Sequence, residues 1–232
     1  PGGNGTGTEP GAGSGVTAAG GIQLVAPFQG TVDSMAVDDD ALYLGMEDGR
    51  ILRAPKTGAP FAEIAGPGTA RLPEGLVVDA DYVYYTSLSR GEVGRVAKAG
   101  GAPPETLVRD QERPYQLAID ATHLYWVNEG DAVAGGSGHS GQVVRRAIAG
   151  GSVEVVADRQ QSPEAIQLSG DYVYFARGPW GDVNGAICRV PKAGGTVDFL
   201  VERLSTTFDF AAVGDDVYFV DYDSSELRRF AA

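Results

Sequence analysis

Short runs in which apolar and polar residues alternate recur along the chain, separated by turns rich in Asp and Gly. Alternation at period two, with many β-branched residues, predicts strands rather than helices. The runs come in groups. Each group has a short apolar strand, a turn, a second strand carrying a tyrosine, and a Gly-bounded third strand carrying an arginine. The tyrosines are Tyr43, Tyr84, Tyr125, Tyr174 and Tyr218, about 41 to 49 residues apart. The arginines are Arg53, Arg95, Arg145, Arg189 and Arg229. A fourth strand follows the glycine pairs Gly100-Gly101, Gly150-Gly151 and Gly194-Gly195, and Thr57-Gly58 serves the first group.

A repeat of this length is the period of a propeller blade, a small sheet that buries its faces only by stacking on its neighbours. The sequence therefore predicts an all-β fold: one five-bladed β-propeller of four-stranded blades over residues 19–232. The blades are expected at about 27–66, 69–109, 112–158, 161–203 and 206–232. The last group has no fourth strand, and Gly20-Gly21-Ile22-Gln23-Leu24-Val25-Ala26 has the pattern of the missing one, so residues 20–26 are expected to complete that blade. Residues 1–18 read as a flexible tether, because Gly, Ser, Thr and Pro cannot bury enough surface to fold.

The segments Leu117 to Trp126 and Arg189 to Gly195 resemble the repeats of bacterial secreted propellers, notably those of myxobacterial lipoproteins. More distantly, they are similar to the YWTD repeats of the low-density-lipoprotein receptor. The Tyr-Trp-Thr-Asp signature itself is absent: the five versions begin at Tyr43, Tyr84, Tyr125, Tyr174 and Tyr218, and that at Tyr125 reads Tyr-Trp-Val-Asn. The receptor family also has six blades rather than five. The resemblance implies a binding and interaction fold, with no particular reaction.

The charge balance narrows the partners. With 18 basic against 31 acidic side chains and a net charge of -13, the chain repels phosphate backbones, so nucleic acid is excluded as a general partner. No apolar run approaches the roughly 20 residues that span a bilayer. The tether composition and a start without Met suit a processed secreted protein or a lipoprotein with its anchor upstream, hence an extracytoplasmic monomer. The lone Cys188 offers neither a disulfide nor a thiolate zinc site.

Residues shared by every blade serve the blade, so a site is sought where the repeat is broken. The starts of the innermost strands open onto one mouth of the central channel. Counting four residues back from Val37, Val78, Ile119, Leu168 and Val213 gives Asp33, Glu74, Tyr115, Glu164 and Asp209. Four of these five are carboxylates, and like charges in one ring raise one another's pKa or call for a cation. As a metal site, Asp33, Glu74, Glu164 and Asp209 would offer hard oxygen ligands to calcium or another divalent cation. As an organic site, the ring would hold a small cationic ligand beside Tyr115. Trp180 and His139, in loops that rise around the same mouth, are candidate ligand contacts. Two further readings stand beside this non-catalytic one. The first is a scaffold for an unidentified protein partner; the second is a carbohydrate-active enzyme using paired carboxylates.

Overall fold

A computed structural model of the chain describes residues 27–130, 140–178, 185–204, 210–221 and 225–231. The first sheet comprises β1 (Val32–Val37), β2 (Ala41–Met46), β3 (Ile51–Pro55) and β4 (Ala62–Ala65). The second comprises β5 (Leu76–Val78), β6 (Tyr82–Ser87), β7 (Glu92–Ala97) and β8 (Glu105–Val108), with a 3-10 turn at Leu88–Arg90. The third holds β9 (Pro114–Ile119), β10 (His123–Asn128), β11 (Gly141–Ala147) and β12 (Glu154–Gln160). The fourth holds β13 (Pro163–Ser169), β14 (Tyr172–Arg177), β15 (Gly185–Pro191) and β16 (Asp198–Leu204). The fifth has three strands among the described residues: β17 (Phe210–Val213), β18 (Asp216–Asp221) and β19 (Glu226–Ala231). Every sheet is an antiparallel meander in chain order, so the sheets are successive blades of a β-propeller. The expected closing strand at 20–26 and the tether lie outside the described residues.

The apolar alternation is used on both faces of a blade, because each face meets a neighbour. Tyr43 and Ile51 of the first blade pack with Leu76, Val83 and Tyr85 of the second. Tyr84 and Val93 pack in turn with Leu117, Leu124 and Trp126 of the third. Tyr125, Val127 and Val143 pack with Ile166, Phe175 and Cys188 of the fourth, and Tyr174 and Ile187 with Phe210, Val217 and Phe219 of the fifth. Burying such aromatic and branched side chains contributes about 1.5–3 kcal/mol each, which accounts for the fully buried repeat tyrosine in four blades.

Polar contacts set the turns. Asp38, Asp79 and Asp120 each close the turn into the second strand: Oδ1 accepts two backbone N–H groups, at 2.9 and 2.7 Å for Asp38. The other oxygen of each accepts the repeat tyrosine's hydroxyl. The third-strand arginines Arg95, Arg145 and Arg189 pair mainly inside their own blades. Arg95 meets Glu105 at 2.8 Å, Arg145 meets Glu154 at 2.7 Å and Arg189 meets Asp198 at 3.3 Å, each on the adjacent fourth strand. Register explains this, since these residues sit directly opposite one another. Arg145 also reaches the next blade, donating to the Lys192 carbonyl at 2.7 Å.

Candidate acidic site at the channel mouth

The innermost strands β1, β5, β9 and β13 line the channel side by side, and their first residues face one end of it. β-Bulges there shift the register between Val32 and Ser34, between Trp126 and Asn128 opposite β9, and between Pro163 and Ala165. A bulge re-aims the side chain it carries. Asp33 and Glu164 sit in such bulges, and Tyr115 in the shifted stretch of β9.

Of the expected ring, Asp33, Glu74, Tyr115 and Glu164 are among the described residues, and Glu74 lies close enough to each of the other three to interact with it. Burial, then the Asp33 charge, raises the Glu74 carboxyl, while the Tyr115 hydroxyl within hydrogen-bonding reach opposes the rise. Burial also raises Asp33, helped by Glu47, and one Asp33 oxygen, Oδ2, is buried with no hydrogen-bond partner among the described residues. Glu164 is pushed up to about 7 by burial and by the charges of Glu129 and Glu74. Tyr115 is held well above the usual phenol range by burial and by Glu74, Glu164 and Glu129. These groups therefore share one low-dielectric, negative space.

Two members of the cluster escaped sequence reasoning. Glu129 follows the second strand of blade three, in the place Glu47 holds in blade one; that shared position was the available signal. Arg113, in the link before β9, donates to it from Nε at 2.9 Å and is the cation that lowers both Glu74 and Glu164. Its φ of 57° places it in the left-handed region, a local conformation that a charge pattern does not announce.

The remaining expected residues are not placed. Asp209, Trp180 and His139 lie outside the described residues. The register of the fifth blade bears on Asp209: Ala212 pairs with Val217 as Leu168 pairs with Val173, so Ala212, not Val213, is the equivalent of Leu168. Four residues back from Ala212 is position 208, so the ring spacing falls one residue short of Asp209.

Behind the carboxylates is a cavity of about 340 Å³ lined by Asp33, Glu74, Gln116, Gln167, Leu76 and Leu117. It shares Leu76, Leu117 and Gln167 with a second cavity of about 440 Å³, whose walls are the later, apolar residues of the same strands, including Val37, Val78, Ile119 and Leu168. The channel is thus acidic at one end and apolar at the other. Gln167 is braced by the next blade, donating to the Phe210 carbonyl at 2.6 Å and accepting the Ala212 N–H at 2.9 Å. Among the described residues, no three His, Cys, Asp or Glu side chains converge closely enough to hold a metal ion.

No protein-family model matches the chain, and no curated protein sequence does. Solved structures do. A chain of the nidogen/laminin complex is similar over 87% of this chain and 80% of its own length, with a TM-score of 0.68 and 16% identity. Streptogramin B lyase covers 85% of this chain and is itself covered over 67%, with a TM-score of 0.62 and 14% identity. A putative TolB from Agrobacterium tumefaciens covers 86% of this chain and is covered over 76%, with a TM-score of 0.65 and 15% identity. These neighbours are β-propellers, and at such identities the likeness is one of fold. No helix among the described residues is long and apolar enough to cross a membrane.

Proposed function

We propose that this propeller is a non-catalytic binding module that takes a small organic cation into the acidic channel mouth. The observation that carries the reading is that Glu74 of the second blade, which lines the cavity with Asp33 of the first, feels the charge of Asp33, and that Glu164 of the fourth feels the charge of Glu74. Arg113, the cation that lowers Glu74 and Glu164, is already engaged by Glu129. A ligand ammonium seated there would relieve the repulsion that raises these carboxyls, while its apolar part would lie along Leu76 and Leu117. An amine is preferred to a divalent ion because the described carboxylates do not close into a coordination shell. The composition of residues 1–15 supports placing the module outside the cytoplasm, tethered or secreted.

A calorimetric titration with cadaverine at pH 8, followed by calcium chloride, tests the reading. The diamine is expected to bind saturably, and Glu74→Gln/Glu164→Gln to abolish binding without lowering the unfolding temperature. Unchanged affinity in that variant, or no heat with the diamine, would overturn it; a saturable response to calcium alone would make the site a metal centre. A protein partner is the second reading, favoured by the likeness to a chain of the nidogen/laminin complex. A captured partner that ignores the two substitutions would support it.

A further inference from the structure

The channel continues past the acidic mouth into an apolar stretch. The two cavities meet at Leu76, Leu117 and Gln167. Beyond that junction the larger one, about 440 Å³, is walled from four blades by Val37, Val78, Ile119 and Leu168. Strand pairing puts these four at one level, opposite Leu42, Val83, Leu124 and Val173 of their second strands. The level before it holds Ala36, Val77, Ala118 and Gln167, so two of the blades put only a methyl group beside the space.

Distance and charge define what fits. Asp33, Glu74, Tyr115 and Glu164 each stand four residues before the apolar level. A strand rises about 3.3 Å per residue, so the two levels are roughly 10–13 Å apart once the bulges are allowed for. At the acidic end, Asp33 lines the smaller cavity, and its buried Oδ2 has no hydrogen-bond partner among the described residues. The other end offers a cation nothing comparable. Asp38, Asp79 and Asp120 directly follow Val37, Val78 and Ile119, but Oδ1 of each accepts backbone N–H groups of its own turn and Oδ2 accepts the repeat tyrosine's hydroxyl. Asp38 and Asp120 are also paired with Lys98 and Lys192. In the fourth blade Ser169 follows Leu168 and donates to the Gly214 carbonyl at 2.9 Å. The channel thus suits one positive charge at the mouth and hydrocarbon beyond it, since an ammonium buried without a counter-charge is costly.

We infer that the ligand is a single-chain alkylamine, its ammonium beside Asp33 and Glu74 and its chain running past Leu76 and Leu117 to the level of Val37, Val78, Ile119 and Leu168. The ammonium end depends on the cation site proposed above; the chain, its length and the lack of a second charge follow from the apolar level and the engaged aspartates beyond it. Eight carbons in zigzag, with single bonds of about 1.5 Å, span about 10 Å and reach that level from the carboxylates. Burial of the chain supplies affinity, and the carboxylates decide which end of the ligand stays at the mouth.

Calorimetric titration of the full chain at pH 8 with n-butylamine, n-hexylamine and n-octylamine, beside 1-octanol, tests the inference. Each buried methylene multiplies affinity about two- to fourfold, so n-octylamine is expected to bind at least about tenfold more tightly than n-butylamine. Glu74→Gln/Glu164→Gln is expected to abolish n-octylamine binding. Val37→Thr/Val78→Thr, which keeps the side-chain shape and adds hydroxyls at the far level, is expected to cut the ratio of the two affinities at least about threefold. Equal affinities along the series, with n-butylamine and cadaverine still bound, would overturn the inference and leave the cation site standing, as would an unchanged ratio in the threonine variant. Binding of 1-octanol as tight as that of n-octylamine would also overturn it, because the chain would then be held without the mouth. No binding of any amine would overturn the cation site and the inference together.

Discussion

Lys98 of the second blade reaches across the seam to Asp38 of the first, Nζ to Oδ2 at 2.7 Å, and Lys192 of the fourth reaches Asp120 of the third at 3.1 Å. Each lysine follows its blade's third strand and meets the aspartate that closes the previous blade's turn. Burial by itself would raise Asp38, but Lys98, the backbone N–H groups of Ala41 and Asp40, and the Tyr43 hydroxyl outweigh it and hold the carboxyl well below the usual range. A carboxyl lowered by folding contributes stability that is full above its unfolded value near pH 4 and drains away as pH falls through the folded one. Lys98→Met is expected to lower stability by about 1–2 kcal/mol at pH 7, a loss that shrinks below about pH 4. Urea unfolding at pH 7 and pH 3 checks it, and a pH-independent loss would assign the effect to packing of the lysine stem.

Cys188 is fully buried on β15, opposite Phe175, and burial pushes its thiol up to about 12. A thiol held neutral and covered is a poor nucleophile. It is expected to resist Ellman's reagent at pH 8 in the folded chain and to react fully in 6 M guanidinium, a change of order a thousandfold in rate. Fast labelling without denaturant would show that the layer between the third and fourth blades opens readily.

Much of this was legible because a propeller repeats its solution. Tyr43, Tyr84, Tyr125 and Tyr174 are buried by the same neighbour in each blade, so one pattern read four times carries its own check. Asp33, Glu74, Tyr115 and Glu164 were reachable by counting from that pattern. Glu129 could have been found from the position it shares with Glu47, but Arg113 could not, because it enters the mouth from a link whose left-handed backbone leaves no periodic trace. The reference residue in the fifth blade is offset by one because Val213 is apolar, although the register makes Ala212 the equivalent of Leu168. Hydrophobicity alone does not resolve a single-residue offset.

Glu164 makes the site measurable by stability. Its folded value of about 7 lies above the unfolded value near 4, so the folded chain holds an extra proton between the two and wild-type stability falls as pH rises through that window. Glu164→Gln removes the charge and keeps the shape. It is expected to be more stable than the parent by about 1–3 kcal/mol at pH 8, with the advantage growing from about pH 4 to pH 7 and level above. Thermal unfolding across that range checks this, and a variant less stable at pH 8 would mean that the ionised carboxylate is satisfied in the fold.

Arg113 offers the sharpest separation of charge from shape at the mouth. It neutralises Glu129 and lowers both Glu74 and Glu164, so replacing it by Met leaves one more negative charge facing the cavity. The two carboxyls then titrate at higher pH, and the consequence for a cation depends on which side of that titration it is offered. At pH 9, with the carboxyls ionised, cadaverine should bind Arg113→Met about 3–10 times more tightly than the parent, a gain of up to about 1.4 kcal/mol. At pH 6, where more of the mouth is protonated, the gain should shrink or reverse. It should also fall with added salt, as an electrostatic term does. Weaker binding at pH 9 would mean that the guanidinium orders Glu129 for the ligand rather than competing with it.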